Sequence, residues 1–245
     1  MRKLVFQGCN FTFIKNSTLS VFFPQFCSLC EKNIILSNLP FCEKCETGLK
    51  NEVFTVCEHC SEPLEQSTCP VCSNRTLFFK KAFHLYFYSS VARQLFHSVK
   101  FEENKHSFNY IKNQVKTFFH HTILPEVQNP ILCPIPSSSP FNRRLTGFLE
   151  KELKLSTQNF FRFNKKKRKA KKLDKGDRFM LLEQNLQLIH DVSPVSENII
   201  LIDDIWTTGA TLNQAAKLLK DKYMTDKSIF IFSVFRQTLT DYKFR

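Results

Sequence analysis

No stretch of this chain comes near the run of about 18 apolar residues that a membrane-spanning helix requires, so membrane insertion is not expected. A secretory leader is not expected either. The opening MRKLVFQGCNFTFI sets basic residues before an apolar patch, but Gln7, Asn10 and Thr12 interrupt it and leave a poor signal-peptide core. Cys9 follows Gly8 as at a lipoprotein cleavage site, yet the apolar stretch before it is only Leu4 to Phe6. Acidic residues are in the minority, 22 against 35 Lys and Arg, which leaves a formal net charge of +13. That balance favours an anionic partner such as nucleic acid, nucleotide or phosphorylated sugar. The abundance of Lys and the 27 Phe residues also fit a plain compositional bias, so where the charge sits matters more than its sum. Apart from paired cysteines, no internal repeat is evident. The expectation is a cytoplasmic protein whose 245 residues suffice for one α/β domain and a small module.

Cysteine is where the chain is rich. Eight of its 10 cysteines form four C-x-x-C pairs: Cys27/Cys30, Cys42/Cys45, Cys57/Cys60 and Cys69/Cys72. Such a turn lets two thiolates converge on one ion, and two turns complete a tetrahedral four-thiolate site. Eight ligands therefore predict two structural Zn²⁺ ions. Sequential pairing is expected, with Cys27, Cys30, Cys42 and Cys45 on one ion and Cys57, Cys60, Cys69 and Cys72 on the other. An interleaved cross-brace is the alternative. Disulfides are disfavoured in a cytosolic setting. Ribbons this small have little apolar core, so the metal supplies much of their folding free energy. His59, inside a knuckle, is expected to be exposed rather than a ligand. These pairs define a double zinc ribbon over residues 27–75, after an N-terminal segment, 1–26.

From about residue 80 to 240 the pattern changes to a second domain. KAFHLYFY (81–88), PILCPIP (130–136), NIILI (198–202) and SIFIFSVF (228–235) read as strands. Helices are predicted from Ser89 or Ser90, over 106–121, over 142–154 and over 211–223. FFRF (160–163) reads as a strand edge. Short apolar strands alternating with helices indicate an α/β fold with a mainly parallel sheet covered on both faces. The segment 165–178 carries nine basic and two acidic residues and is expected to be a mobile basic loop. Phe160, Phe161 and Phe163 beside it are read as core rather than as base-stacking residues.

Within "NIILIDDIWTTGATLNQ" (198–214), a strand runs into Asp203 and Asp204, and then into a small hydroxyl-rich loop before a helix. Ligands of open α/β sheets bind outside the carboxyl ends of the strands. Free N–H groups and the dipole at a helix N-terminus favour a phosphate. Gly209 admits a close backbone approach, and Thr207, Thr208 and Thr211 add hydroxyl donors. Carboxylates accept hydrogen bonds from hydroxyls and repel a second phosphate. A ribose 5-phosphate unit suits both parts.

The same residues carry a family resemblance. "IILIDDIWTTGAT" resembles the phosphoribosyl pyrophosphate (PRPP) signature of type I phosphoribosyltransferases. That resemblance implies a type I phosphoribosyltransferase-like sheet, with Thr207, Thr208, Gly209, Ala210 and Thr211 on the 5-phosphate. It also places Asp203 and Asp204 on the ribose hydroxyls, with Mg²⁺ accompanying PRPP. Cysteine knuckles ahead of such a domain resemble the ComF/GntX group, whose competence members assist DNA uptake. "FFPQFCSLC", "YFYSSVARQLFHSVKFEEN" and "CPIPSSSPFNRRLTGF" resemble further segments of that group. By analogy Pro134, Ile135, Pro136, Ser137 and Ser138 face the pyrophosphate, with Lys100, Arg143, Arg144, Lys166 and Arg168 as cations nearby.

This chain departs from the family where Arg-Gly-Phe-Asn reads Thr146, Gly147, Phe148 and Leu149, and where Ala170 and Leu181 replace an expected Gln and Asn. The phosphate loop is intact while polar elements around it are eroded, which bears on catalysis more than on binding. Three readings follow. One is a competence-type protein that binds PRPP and handles single-stranded DNA, with DNA-uptake or recombination proteins as partners. The second is an active phosphoribosyltransferase with 165–178 as its lid. The third is a non-catalytic PRPP sensor.

Overall fold

The apolar segments at 81–88, 130–136, 198–202 and 228–235 supply four strands of one five-stranded sheet, and the strand-edge segment 160–163 pairs outside it. The structure is a computed structural model that describes residues 25–34, 40–50, 55–64, 67–137, 139–163, 186–189, 196–223 and 227–238. Ser138 and the basic run 165–178, with Lys166 and Arg168, lie outside the described residues.

The chain begins with a two-residue hairpin, β1 (Gln25–Phe26) and β2 (Asn33–Ile34), followed by α1 (Glu43–Lys50) and α2 (Pro70–Asn74). Then come β3 (Lys81–Phe87), α3 (Ser90–Lys100), α4 (Lys105–Phe118) with a π turn after it, β4 (Ile131–Pro134) and α5 (Phe141–Leu153). Next are β5 (Ser156–Thr157), β6 (Phe161–Phe163), β7 (Leu186–Leu188), β8 (Asn198–Trp206), α6 (Ala210–Tyr223) and β9 (Ser228–Arg236). Among the described residues, no helix is long and apolar enough to cross a membrane.

The main sheet has the order β3-β9-β8-β4-β5, and every neighbouring pair in it is parallel. β6 and β7 form a separate antiparallel pair. Ile199 to Ile202 and Ile229 to Phe232 are all buried, as a sheet covered on both faces demands. On one face Ile200, Ile202, Phe230 and Phe232 pack with α3, α4 and α5. On the other Ile199, Leu201, Ile229 and Ile231 pack with α6 and the β6/β7 pair. Phe160 and Phe161 are buried in that second core, so their rings fill space rather than stack on bases.

Local signals set the helix ends. Ser89 caps α3 by accepting from the Ala92 N–H, and Asn104 caps α4 by accepting from the Ser107 N–H. α5 stops at Lys154, which adopts the left-handed region at φ 54°.

The ribbons flank the sheet. The first buries Phe41 and Ile34 in the core of α3 and α4, with Phe41 edge-on to Tyr110. The second packs Cys60 and Val71 into the α6 core.

Candidate phosphoribosyl site and thiol tetrads

In each ribbon the first knuckle has the same backbone pattern. Cys27 N–H donates to Lys32 O and Glu31 N–H to Cys27 O; Cys57 N–H donates to Glu62 O and Ser61 N–H to Cys57 O. Glu31 and Ser61 take φ 60° and 55° to close these turns. The second knuckle sits at a helix start, Cys42 before α1 and Cys69 before α2. The sulfurs of Cys27, Cys30, Cys42 and Cys45 lie within 4.8 Å of one another, as do those of Cys57, Cys60, Cys69 and Cys72. The grouping is sequential, not interleaved. A tetrahedral zinc with Zn–S near 2.3 Å needs sulfurs about 3.8 Å apart. Cys30 and Cys42 are 3.6 Å apart, and Cys57 and Cys72 are 3.7 Å apart, so the tetrads fit the ion.

The thiols' acidities point the same way. Burial, together with neighbouring sulfurs, pushes Cys45 and Cys60 above the ordinary thiol range, and Cys72 up to about 12. Burial also opposes ionisation of Cys27, but backbone N–H groups of Cys42, Cys30 and Leu29 outweigh it and bring Cys27 down to about 7. Four crowded thiols cannot all ionise without a cation, and a Zn²⁺ ion held by each tetrad would supply that charge. His59 is half-buried rather than exposed: its Nε2 is 2.7 Å from Phe79 O and its Nδ1 3.8 Å from Cys72 Sγ. Cys133 is outside both tetrads, and burial pushes its thiol up to about 12.

The second site arises where the sheet changes direction. From β4 the chain moves outward to β5, and from β8 it moves the other way to β9. The crevice between β4 and β8 is thus the topological switch point, where α/β sheets bind ligands. On one side lies the Pro134–Ser137 loop, joined to β8 by Ile135 N–H donating to Ile202 O. Pro134 and Ile135 are buried, and Ser137 is exposed. On the other side are Asp203 and Asp204, followed by Thr207–Thr211.

β8 runs to Trp206, four residues beyond the predicted NIILI strand, so both aspartates lie within it. Two partners from distant helices permit this. Asn142, in the first turn of α5 and buried, donates to Asp203 Oδ1 at 2.9 Å and to Ile135 O at 3.2 Å. Lys100, in the last turn of α3, places Nζ 2.5 Å from Asp204 Oδ2. Burial and the adjacent Asp204 carboxylate push Asp203 up to about 7, against the pull of Asn142, the Asp204 N–H and Lys100.

Thr207 and Thr208 are exposed, and Thr208 Oγ1 accepts from the Ala210 N–H as α6 begins. Gly209 adopts φ 73°, and a Cβ there would lie 2.4 Å from Trp206 ring carbons. Glycine is therefore needed for the fit against tryptophan as well as for any approach of an anion. Thr211 is half-buried in the first turn of α6. Arg143 is exposed, while Arg144 stacks 4.2 Å over Phe108. Asn142 escaped the sequence reading, because nothing local to it announces an aspartate partner.

No family model matches the chain, and no curated protein matches its sequence. Among solved structures, an adenine phosphoribosyltransferase from Saccharomyces cerevisiae is similar over 55% of this chain and 71% of its own, at 18% identity and a TM-score of 0.38. A xanthine-guanine-hypoxanthine phosphoribosyltransferase from Helicobacter pylori is similar over 63% of this chain and 76% of its own, at 18% identity and a TM-score of 0.33. A hypoxanthine phosphoribosyltransferase from Staphylococcus aureus covers 53% of this chain and 64% of its own, at 18% identity and a TM-score of 0.34. Likenesses this distant concern the fold alone.

Proposed function

We propose that this chain binds PRPP, or a related ribose 5-phosphate ligand, at the β4/β8 crevice, and that it serves DNA uptake in the cytoplasm as a ComF-type protein handling single-stranded DNA. One observation carries the ligand reading. Two carboxylates, each with its own partner, stand directly before a glycine-kinked threonine loop at a helix N-terminus, and this happens at the switch point of a parallel sheet. The exposed Thr207 and Thr208 hydroxyls and the first N–H groups of α6 receive the 5-phosphate. Asp203 and Asp204 accept from the ribose hydroxyls. Lys100 and Asn142 keep the two carboxylates from repelling each other apart. The Pro134–Ser137 loop, opposite, receives the pyrophosphate.

Mg²⁺ suits this set of hard oxygen donors and, once bound with PRPP, offsets the pyrophosphate charge. The DNA part of the proposal draws on the ComF/GntX resemblance and on the basic run 165–178 of a chain with net charge +13. Lysines there would track a phosphate backbone and release counterions.

Calorimetric titration of PRPP into zinc-loaded protein, with and without Mg²⁺, tests the ligand. Saturable, Mg²⁺-dependent binding that is lost in Asp203→Asn/Asp204→Asn is the expected result. An absence of binding, or an unchanged affinity in the double variant, overturns it. Turnover of PRPP with a nucleobase would extend the reading from binding to transfer. For DNA, changing Lys165, Lys166 and Lys167 to Gln should flatten the salt dependence of single-strand binding; an unchanged slope removes that run from the interface.

A further inference from the structure

Trp206 ends β8 and is the chain's single tryptophan, with its side chain buried. Its ring touches Gly209 of the phosphate loop so closely that a Cβ there would lie 2.4 Å away. The Arg236 guanidinium packs against the same ring, 4.3 Å from the centroid. Arg236 in turn is ion-paired through Nη2 with Glu62 Oε2, and both side chains are almost fully buried. Glu62 belongs to the second ribbon, where its carbonyl accepts from Cys57 N–H and so closes the first knuckle. A contiguous line of contacts therefore runs from the Cys57/Cys60 knuckle to the phosphate loop.

A second line reaches the loop's other flank. Asn213, in the first turn of α6, donates its N–H to Gly209 O. Its Oδ1 accepts from Phe78 N–H at 2.8 Å, and its Nδ2 donates to Thr76 O at 3.0 Å. Residues 76–78 follow directly on α2, the helix that carries Cys72. Trp206 and Asn213 bracket Thr207–Leu212; the first is held from the second ribbon and the second from the segment that leaves it. The first ribbon faces elsewhere: its α1 lies against α3, with Gly48 close to Val91.

We propose that the second zinc ribbon is a positioning element for the phosphate loop. Glu62, Arg236, Trp206 and Asn213 act as positioning residues, so filling the Cys57/Cys60/Cys69/Cys72 tetrad sets the loop's shape and emptying it lowers affinity for the ligand. The ligand half of this inference rests on the phosphoribosyl reading; the loop half does not. A pair that breaks in the interior leaves a charge without its partner, and the loop nearest that charge loosens first.

Amide hydrogen exchange over residues 207–213 separates the two halves. It is measured in the zinc-loaded chain, in Glu62→Gln, in Cys57→Ser and in Cys27→Ser. Glu62→Gln should keep two zinc ions yet speed loop exchange about tenfold, the scale of one weakened buried hydrogen bond. Cys57→Ser should lose one zinc ion, speed loop exchange at least as much, and red-shift Trp206 emission. Cys27→Ser should leave both unchanged. Loop exchange that matches wild type in Glu62→Gln and Cys57→Ser, or that rises equally in Cys27→Ser, overturns the proposal. Where Glu62→Gln fails to fold, Asn213→Ala, which removes the bonds to Phe78 N–H and Thr76 O, is judged by the same criterion. PRPP titration then tests the ligand half. A fall in affinity with zinc content unchanged supports it, and an unchanged affinity despite a loosened loop refutes it. A wild-type chain that binds no PRPP defeats the phosphoribosyl reading, while the exchange result still decides the coupling.

Discussion

Asn142 holds Asp203 from 61 residues away, its amide nitrogen 2.9 Å from Oδ1. The same nitrogen reaches Ile135 O, so one side chain fastens the β4 loop to the β8 carboxylate. Asn142→Ala should cost on the order of 1–3 kcal/mol, since the buried Ile135 carbonyl loses a donor. It should also weaken PRPP binding by freeing Asp203. Thermal melting and the calorimetric titration check the two effects separately.

Asp203 gives the protein a pH dependence of definite sign. Its folded-state value of about 7 lies above the ordinary 3.8, so the folded chain holds this proton more tightly than the unfolded chain. The stability this contributes is complete below the ordinary value and is lost as pH rises through 7. Asp203→Asn should therefore melt higher than wild type at pH 8, with the difference shrinking towards pH 4. Each kcal/mol corresponds to roughly 2–4 °C in a chain of this size. A difference that stays constant across that range would remove Asp203 from the account.

Two glycines should respond in opposite directions. Gly209→Ala forces a side chain into φ 73° and against Trp206, so a loss of about 2–5 kcal/mol is expected. Gly147 lies inside α5 with open space where a Cβ would go. Gly147→Ala should add roughly 0.5–1 kcal/mol through helix propensity. Denaturant unfolding of the two variants reads both signs.

Zinc content tests the tetrads. The wild-type chain should carry two ions, and Cys27→Ser should carry one, with the first ribbon destabilised. Elemental analysis after dialysis decides it; two ions retained by Cys27→Ser would reject that ligand set.

Much of this architecture was legible because its signals are local. C-x-x-C spacing brings sulfurs together whatever surrounds them, and the apolar runs at 198–202 and 228–235 announce strands. Ser89 announces a helix start in the same way, whereas the Asn104 cap emerged only from the fold. The far end of β8 was not legible. Two adjacent aspartates look like the end of a strand until Lys100 and Asn142 arrive from helices far back in the chain. β5 and β7 are too short, at two and three residues, to show any period. Glu62 and Arg236 look like ordinary surface charges in sequence, and only the fold, across 174 residues, reveals them as a buried pair.

The sheet order has a consequence for synthesis. Among the described residues β3 joins the main sheet only through β9, a strand made far later, and the contact between His84 and Ser233 spans 149 residues. At ordinary translation speeds of roughly 5–20 residues per second, β3 waits about 7–30 s for its neighbour. During that interval its backbone is an open edge. Both thiol tetrads are synthesised long before, so their ligands can be gathered by a metal ion while the closing strand is still being made. A chain interrupted before residue 228 would keep all eight thiol ligands and the β8-β4-β5 pairing, but lose the strand that joins β3 to them.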